Sequence, residues 1–142
     1  MGQYYLVVNI DKKQYLDPHC CGDGLKLLEF GCSANGTLTA LAILLADGNG
    51  RGGGDLRSAN PIIGTWTGDR IVVAGDYADE GRFVTDAKRN LYSVAREEFQ
   101  DVSRPALRAM ADDAYLVEIM RDSRTWHGDE SCSVLDFAMN KE

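Results

Sequence analysis

The stretch DGNGRGGGDLRSANPIIGTWTGDRIVVAGDYADEG, from Asp47 to Gly81, organises our interpretation of the whole chain. It holds nine of the protein's fifteen glycines together with six carboxylates. Glycine permits backbone turns that other residues resist, and aspartate favours turns through its side chain. The pattern therefore predicts a glycine loop over 48–60, followed by two strands, Ile62–Trp66 and Arg70–Ala74, joined as a hairpin.

The chain before this stretch contains two predicted strands and two predicted helices. Gln3–Ile10 is rich in aromatic and β-branched residues, which is typical of a buried strand, and Gln14–Leu16 is a short antiparallel partner. A short helix is predicted over Leu25–Phe30. A second helix, over about 37–46, is apolar on nearly every face, so we expect it inside the core.

The second half of the chain has a mainly helical pattern. Apolar residues recur at near-helical spacing between Phe83 and Gln100, although Leu91–Val94 also fits a strand. Ser103 and Pro105 indicate the start of another helix. That helix either continues past Asp112-Asp113 or gives way there to a second one.

These elements predict a single compact α+β domain over residues 1–142. It has a small, mostly antiparallel sheet, a buried helix at about 37–46 and a helical C-terminal half. The composition, 44% hydrophobic and 26% charged, is that of an ordinary globular protein. The longest apolar run is far too short to span a bilayer, and we find no secretory signal. We therefore expect a soluble, cytoplasmic protein with no membrane partner.

The charge distribution bears on possible partners. The net charge is −7, and residues 1–71 contribute −1 whereas residues 72–142 contribute −6. An acidic chain repels phosphate backbones, and the basic residues are interleaved with acids instead of forming a stripe. Direct nucleic-acid binding is therefore not expected.

The glycine loop is the first candidate ligand site. Successive glycines can turn their backbone amides towards one point, where they bind phosphate or carboxylate oxygens. The candidate ligand-binding residues are Arg51, Gly52, Gly53 and Gly54, with Arg51 adding a charge-assisted contact. No nucleotide-binding loop motif is present, and a plain connector between helix and strand is the commoner role for such a loop.

The carboxylates of the same stretch suggest a metal site. Asp55 and Asp76 can meet if the long loop returns beside the end of the second strand, and such oxygens suit Mg²⁺ or Ca²⁺. The alternative is that these aspartates serve only as turn residues. Trp66 and Tyr77 flank the stretch, so we include both as candidate ligand-binding aromatics, although strand aromatics more often belong to the core.

The thiols and imidazoles suggest no motif. His19, Cys21, Cys32 and Cys132 could in principle assemble a zinc site, but their spacing matches no finger or ribbon. Without a secretory signal we expect reduced cysteines, and buried structural thiols are the favoured interpretation.

Several segments resemble those of a known group of proteins. They are the opening Met-Gly-Gln-Tyr-Tyr, then Gly-Asp-Gly-Leu-Lys-Leu-Leu-Glu-Phe, Gly-Gly-Gly-Asp and Gly-Asp-Arg-Ile-Val-Val-Ala-Gly-Asp-Tyr. They are similar to a family of small microbial proteins to which no function is assigned. The resemblance covers roughly the first 80 residues. It implies a shared fold and brings no activity, cofactor or catalytic residue.

Three functions remain open from the sequence. The leading hypothesis is a binding or interaction protein that engages a partner protein or small ligand through residues 47–81. A second is a metal-assisted enzyme acting on a phosphorylated or nucleotide substrate, with Asp55 and Asp76 holding the ion. A third is an inhibitor whose acidic second half mimics nucleic acid.

Overall fold

The computed structural model describes residues 2–32 and 36–123. In these ranges the elements are β1 (Tyr5–Asn9), β2 (Gln14–Leu16), α1 (Leu27–Gly31), α2 (Thr37–Leu44), β3 (Ile71–Gly75), α3 (Leu91–Glu98), β4 (Gln100–Asp101), α4 (Ser103–Ala111) and α5 (Ala114–Ser123). The predicted α+β class, the small sheet and the helical second half are confirmed.

The described strands form one sheet in the order β3-β1-β2-β4. β1 pairs antiparallel with both β2 and β3, so that Val8 lies opposite Tyr15 on one side and Val72 on the other. β4 pairs parallel with β2 through two residues only. The sheet is therefore mostly antiparallel, as predicted.

The two faces of the sheet carry separate hydrophobic clusters, because side chains alternate along a strand. Val7 packs in the larger cluster, which also takes in Leu44, Leu107 and Met110 from α2 and α4. Leu6 and Val8 point to the opposite face and pack with residues of α3. The sheet thus lies between α3 on one face and the other helices on the other.

The helix predicted over about 37–46 is α2, and it contributes to the core. Its residues Ala40, Ile43 and Leu44 are buried, whereas Leu38 stays partly exposed. The helix begins beside the buried Asp23, whose Oδ2 accepts the N–H of Thr37 at 3.0 Å. That bond satisfies one of the free amides of the first turn.

The predicted strand Ile62–Trp66 is wrong. Residues 60–69 form successive tight turns instead, in which Ile63, Thr65 and Thr67 each donate to the carbonyl three residues earlier. These local bonds use the groups that a hairpin would need. The partner of β3 is consequently β1.

Trp66 explains why this segment coils instead of extending. Its N–H donates to the carbonyl of Leu44 at 2.8 Å, and its indole Nε1 donates to Gln14 Oε1 at 2.8 Å. The side chain is 0% exposed and belongs to the larger hydrophobic cluster. Burial of this large ring overrides the strand propensity of the sequence around it.

The structure decides two alternatives in the helical half. Leu91 lies in a helix, α3, capped by the Asn90 side chain, which accepts the N–H of Ser93 at 3.0 Å. A second helix, α5, begins after Asp113. Ser103 starts α4 as predicted, but its hydroxyl accepts the N–H of Asp17 at 2.7 Å instead of capping the helix.

Two further expectations concern the thiols and the membrane. Cys21 is buried as predicted, and burial raises the pKa of its thiol, whereas Cys32 is exposed; Cys132 lies outside the described residues. In the described part of the chain, no helix is both long and apolar enough to cross a bilayer.

Replacement of Trp66 tests this account of the core. We expect Trp66→Ala to lower the free energy of unfolding by about 3–5 kcal/mol, because it empties a fully buried site. The measurement is urea unfolding followed by circular dichroism. Tyr77→Ala is the control, since that ring is 67% exposed and its loss should cost less than about 0.5 kcal/mol. Equal, small effects of both substitutions would contradict the fold described here.

Candidate functional site

The glycine loop adopts a backbone that only glycine accommodates easily. Gly50 and Gly52 have φ values of 104° and 126°, in a region that other residues rarely enter. Apart from the adjoining residues, no atom of the described part of the chain lies within 4 Å of a Cβ built at either position. These positions therefore favour glycine because of their backbone conformation, and not because a side chain would clash with a neighbouring atom.

The side chain of Asp55 accepts hydrogen bonds from the backbone of its own loop. Asp55 Oδ2 accepts the N–H groups of Gly50 at 3.0 Å and Arg51 at 2.8 Å. These two hydrogen bonds, first that from Arg51 and then that from Gly50, lower the pKa of Asp55. The loop backbone thus turns two N–H groups towards one carboxylate, that of Asp55 itself, whereas the amides predicted to bind an anion are those of Gly52, Gly53 and Gly54.

Asn49 and Leu56 close the base of the same loop. Asn49 Oδ1 accepts the N–H of Leu56 at 2.9 Å, and its Nδ2 donates to the Leu56 carbonyl at 3.2 Å. One side chain therefore satisfies both backbone groups of a residue seven positions away. The loop is a closed unit with defined geometry and not an open connector.

Asp113 attaches this loop to the helical half. Its side chain lies before α5 and is 2% exposed. Its Oδ2 accepts the N–H of Arg57 at 2.6 Å and that of Ser58 at 3.2 Å, while Oδ1 accepts the N–H of Leu116 at 3.1 Å. The carboxylate is at once the N-terminal cap of α5 and the anchor of the glycine loop.

A cavity of about 450 Å³ lies where the loop meets α5. Its lining comes from the loop, which includes Arg57, and from Tyr115 of α5. The centroid of the Tyr115 ring is 4.5 Å from the guanidinium carbon of Arg57. The lining residues are Gly50, Gly52, Gly53, Gly54, Asp55, Leu56, Arg57 and Tyr115. Such a cation–aromatic pair presents a positive charge on an apolar support.

Several polar groups at this cavity remain open to a ligand. Within residues 2–32 and 36–123, the amides of Gly52, Gly53 and Gly54 have no acceptor. Over the same ranges no carboxylate forms an ion pair with Arg57. The cavity therefore combines unpaired donors, one cation and the Asp55 carboxylate.

The structure brings some of the predicted site residues together. Gly52, Gly53, Gly54 and Asp55 line the cavity, whereas the exposed Arg51 is not among its lining residues. Trp66 lies in the core and offers no surface for stacking. Asp76 and Tyr77 line a different cavity, of about 490 Å³, beside Asn90.

Asp55 and Asp76 do not share a cavity. Asp55 binds the amides of its own loop, and Asp76 Oδ1 accepts the N–H of Tyr4 at 3.1 Å, at the far end of β3. In the part of the chain that the structure describes, no group of three or more His, Cys, Asp or Glu side chains is arranged to hold a metal ion. The geometry lends no support to a joint ion at these two aspartates.

The acidic second half does not present one sign of charge in the region around α3. Arg89 contacts Asp86 and Glu97, each at 2.7 Å, and also pairs with Glu98. The cation is surrounded by the carboxylates that a nucleic-acid mimic would display. This region gives the inhibitor hypothesis no support.

Three residues of the site, Arg57, Asp113 and Tyr115, were missed by sequence reasoning. Arg57 lies inside the glycine loop, but its partners Asp113 and Tyr115 follow more than fifty residues later in the sequence. The only local signal was that an aspartate directly before an apolar helical segment, as at Asp113, is a common cap.

The comparison with known proteins gives no independent guide. No protein-family model, curated protein or solved structure matches this chain. The resemblance to the microbial family therefore stays an expectation. The case for a function depends on the chemistry of the residues themselves.

The pH dependence of stability tests the role of Asp113. Burial alone would raise the pKa of this carboxyl, but the amides of Leu116, Arg57, Ser58 and Tyr115 outweigh it and lower the pKa. Its stabilising contribution is therefore complete above the ordinary carboxyl pKa of about 3.9 and is lost as the pH falls through the lower folded value.

We expect Asp113→Ala to lower the free energy of unfolding by about 2 kcal/mol at neutral pH, since it removes a helix cap and two loop contacts. Near pH 2 the penalty should shrink. Urea unfolding at both pH values measures it, and Asp112→Ala, at the exposed neighbouring position, is the control. A penalty that is independent of pH would show that the carboxylate charge is unimportant.

Proposed function

We propose that this chain is a binding protein that takes a small anionic ligand in the cavity between the glycine loop and α5. The observation that carries the proposal is that the cavity is lined by residues whose donors are unpaired. Within the described ranges, the amides of Gly52–Gly54 have no acceptor and the Arg57 guanidinium forms no ion pair. Carboxylate and phosphate oxygens are the natural acceptors for such a set.

Asp55 narrows the class of ligand. Its lowered pKa keeps it ionised at neutral pH, so it repels a compact, highly charged anion. A ligand that carries one acidic group and also a donor, such as an amino group or a hydroxyl, satisfies both Arg57 and Asp55. Tyr115 adds a ring against which an apolar or planar part packs.

The placement of the cavity also favours a binding role. The loop is closed at its base by Asn49 and attached to α5 by Asp113, so its free amides are held in position before any ligand arrives. Pre-organisation of this kind lowers the entropic cost of binding. We further propose that this role is exercised in the cytoplasm.

A metal-assisted role at Asp55 is a separate proposal. The sequence predicts Mg²⁺ or Ca²⁺ at Asp55 and Asp76, and an ion at Asp55 alone would need oxygens from the ligand to complete its shell. Both ions therefore belong in the ligand screen, with and without the anionic probes. Loss of an ion's effect in Asp55→Asn would favour this role.

A thermal-shift screen tests the proposed ligand class. The probes are inorganic phosphate, succinate, glutamate and adenosine monophosphate, each at increasing concentration. A probe present at 100 times its Kd adds about 2.7 kcal/mol to the stability of the native state. We expect saturable stabilisation by at least one probe. Its Kd, measured by calorimetry, should rise about tenfold or more in Arg57→Gln, which removes a charge-assisted contact.

The matched control is Arg82→Gln. Arg82 also lies over an aromatic ring, with its guanidinium carbon 4.9 Å from the centroid of Phe83, but it lies outside the cavity lining. The two variants lose the same charge from the same kind of pair. If both substitutions weaken probe binding equally, the binding depends on overall charge and not on the cavity. If no probe stabilises the protein, the proposal is contradicted.

A further inference from the structure

β3 forms one edge of the sheet, and half of its backbone groups point away from β1. The N–H of Asp76 donates to Tyr4 at 2.9 Å, and the carbonyl of Arg70 accepts the N–H of Ile10 at 3.0 Å. Backbone groups alternate in direction along a strand. The N–H and carbonyl groups of Ile71 and Val73 therefore point outwards.

This edge lacks the usual protection. In the described ranges of the chain, no group bonds to the outward N–H and carbonyl groups of Ile71 and Val73. Natural edge strands usually carry lysine, proline or a bulge that prevents further pairing, and the sequence Ile-Val-Val-Ala-Gly of β3 has none of these. Val73, in the middle of the strand, is 42% exposed.

The edge is complementary to itself. In an antiparallel pair with a two-fold axis at Val73, Val73 lies opposite Val73 of the second copy, and Ile71 lies opposite Gly75. The same register places Arg70 opposite Asp76, once at each end of the pair. One Val73–Val73 pair, two Ile71–Gly75 pairs and two opposite-charge pairs are thus formed by a single symmetry operation.

Both charged residues can take part. The Arg70 side chain is 71% exposed even though its guanidinium contacts Asp11. Asp76 uses Oδ1 for the N–H of Tyr4, and among the described residues Oδ2 has no donor. A two-fold axis at Val72 or Ala74 would not place Arg70 opposite Asp76. The opposite charges therefore favour the register that is centred on Val73.

We propose that two copies of this chain associate through β3, so that the two four-stranded sheets become one continuous sheet. Pairing of five-residue strands buries less surface than the ~1,200–2,000 Å² of a standard stable complex. The association is therefore an equilibrium that depends on protein concentration. The strand that pairs with β3 comes from the second copy and not from an unrelated peptide.

Sedimentation velocity over a range from about 10 μM to about 1 mM tests this, because it spans the dissociation constants of weak complexes. We expect a shift from monomer to dimer with increasing concentration. Val73→Lys should raise the dimer Kd about tenfold or more, since it places two like charges directly opposite each other. Leu28→Lys, at a 73% exposed leucine of α1, is the matched control and should leave the Kd unchanged.

A charge exchange tests the register. Arg70→Glu alone and Asp76→Arg alone should each weaken self-association, because like charges then face each other. An equimolar mixture of the two variants should recover the wild-type mass, since the opposite-charge pairs are restored. Circular dichroism of each variant verifies its fold, and Val73→Lys remains informative if one of them is unstable.

Three results would overturn the proposal. They are a monomer at every concentration, loss of association in Leu28→Lys but not in Val73→Lys, and failure of the mixture to recover the dimer. The second result would move the interface to the exposed leucines of the helices. Binding of a peptide copy of β3 by a protein that stays monomeric would identify an extended peptide as the occupant instead.

Discussion

The buried carboxylate of Asp113 holds together the parts of the chain from which the candidate site is made. One of its oxygens accepts the N–H of Leu116 in the first turn of α5, and the other accepts the N–H groups of Arg57 and Ser58 from the glycine loop. A buried charge is costly unless it is fully hydrogen-bonded, so the loop and the helix start must stay in register for Asp113 to remain ionised there. One side chain thereby fixes both walls of the cavity.

The rest of the site follows from that constraint. The loop is attached at Arg57 and closed by Asn49, and Gly50, Gly52 and Gly54 line the cavity with backbone angles that other residues rarely enter. Tyr115 follows Asp113 by two residues and lies in the first turn of α5, where it supports the Arg57 guanidinium. Among the described residues, none from the sheet lines this cavity. The proposed ligand cavity and the proposed β3 interface are thus different surfaces.

The sequence predicts those features that depend on local pattern. Composition and periodicity predict the apolar segment of α2 and the strand β1, and they indicate the glycine loop as a candidate site. The turns over 60–69 do not, because Trp66 finds its partners at Leu44 and Gln14 only after the chain has folded. The same holds for Arg57 and Asp113, which are 56 residues apart. Asp55 and Asp76 were predicted to meet because they share one stretch, yet they bind backbone N–H groups in different parts of the fold, Asp55 those of its own loop and Asp76 that of Tyr4.

Amide hydrogen exchange, measured residue by residue by NMR, tests the central role of Asp113 most directly. The amides of Arg57, Ser58 and Leu116 should exchange slowly and together, as members of one cooperative unit, whereas those of Gly52, Gly53 and Gly54 should exchange quickly in the free protein. Fast exchange at Arg57 and Ser58, at the rate of the exposed glycines, would show that the loop is not attached to α5 and would contradict this account.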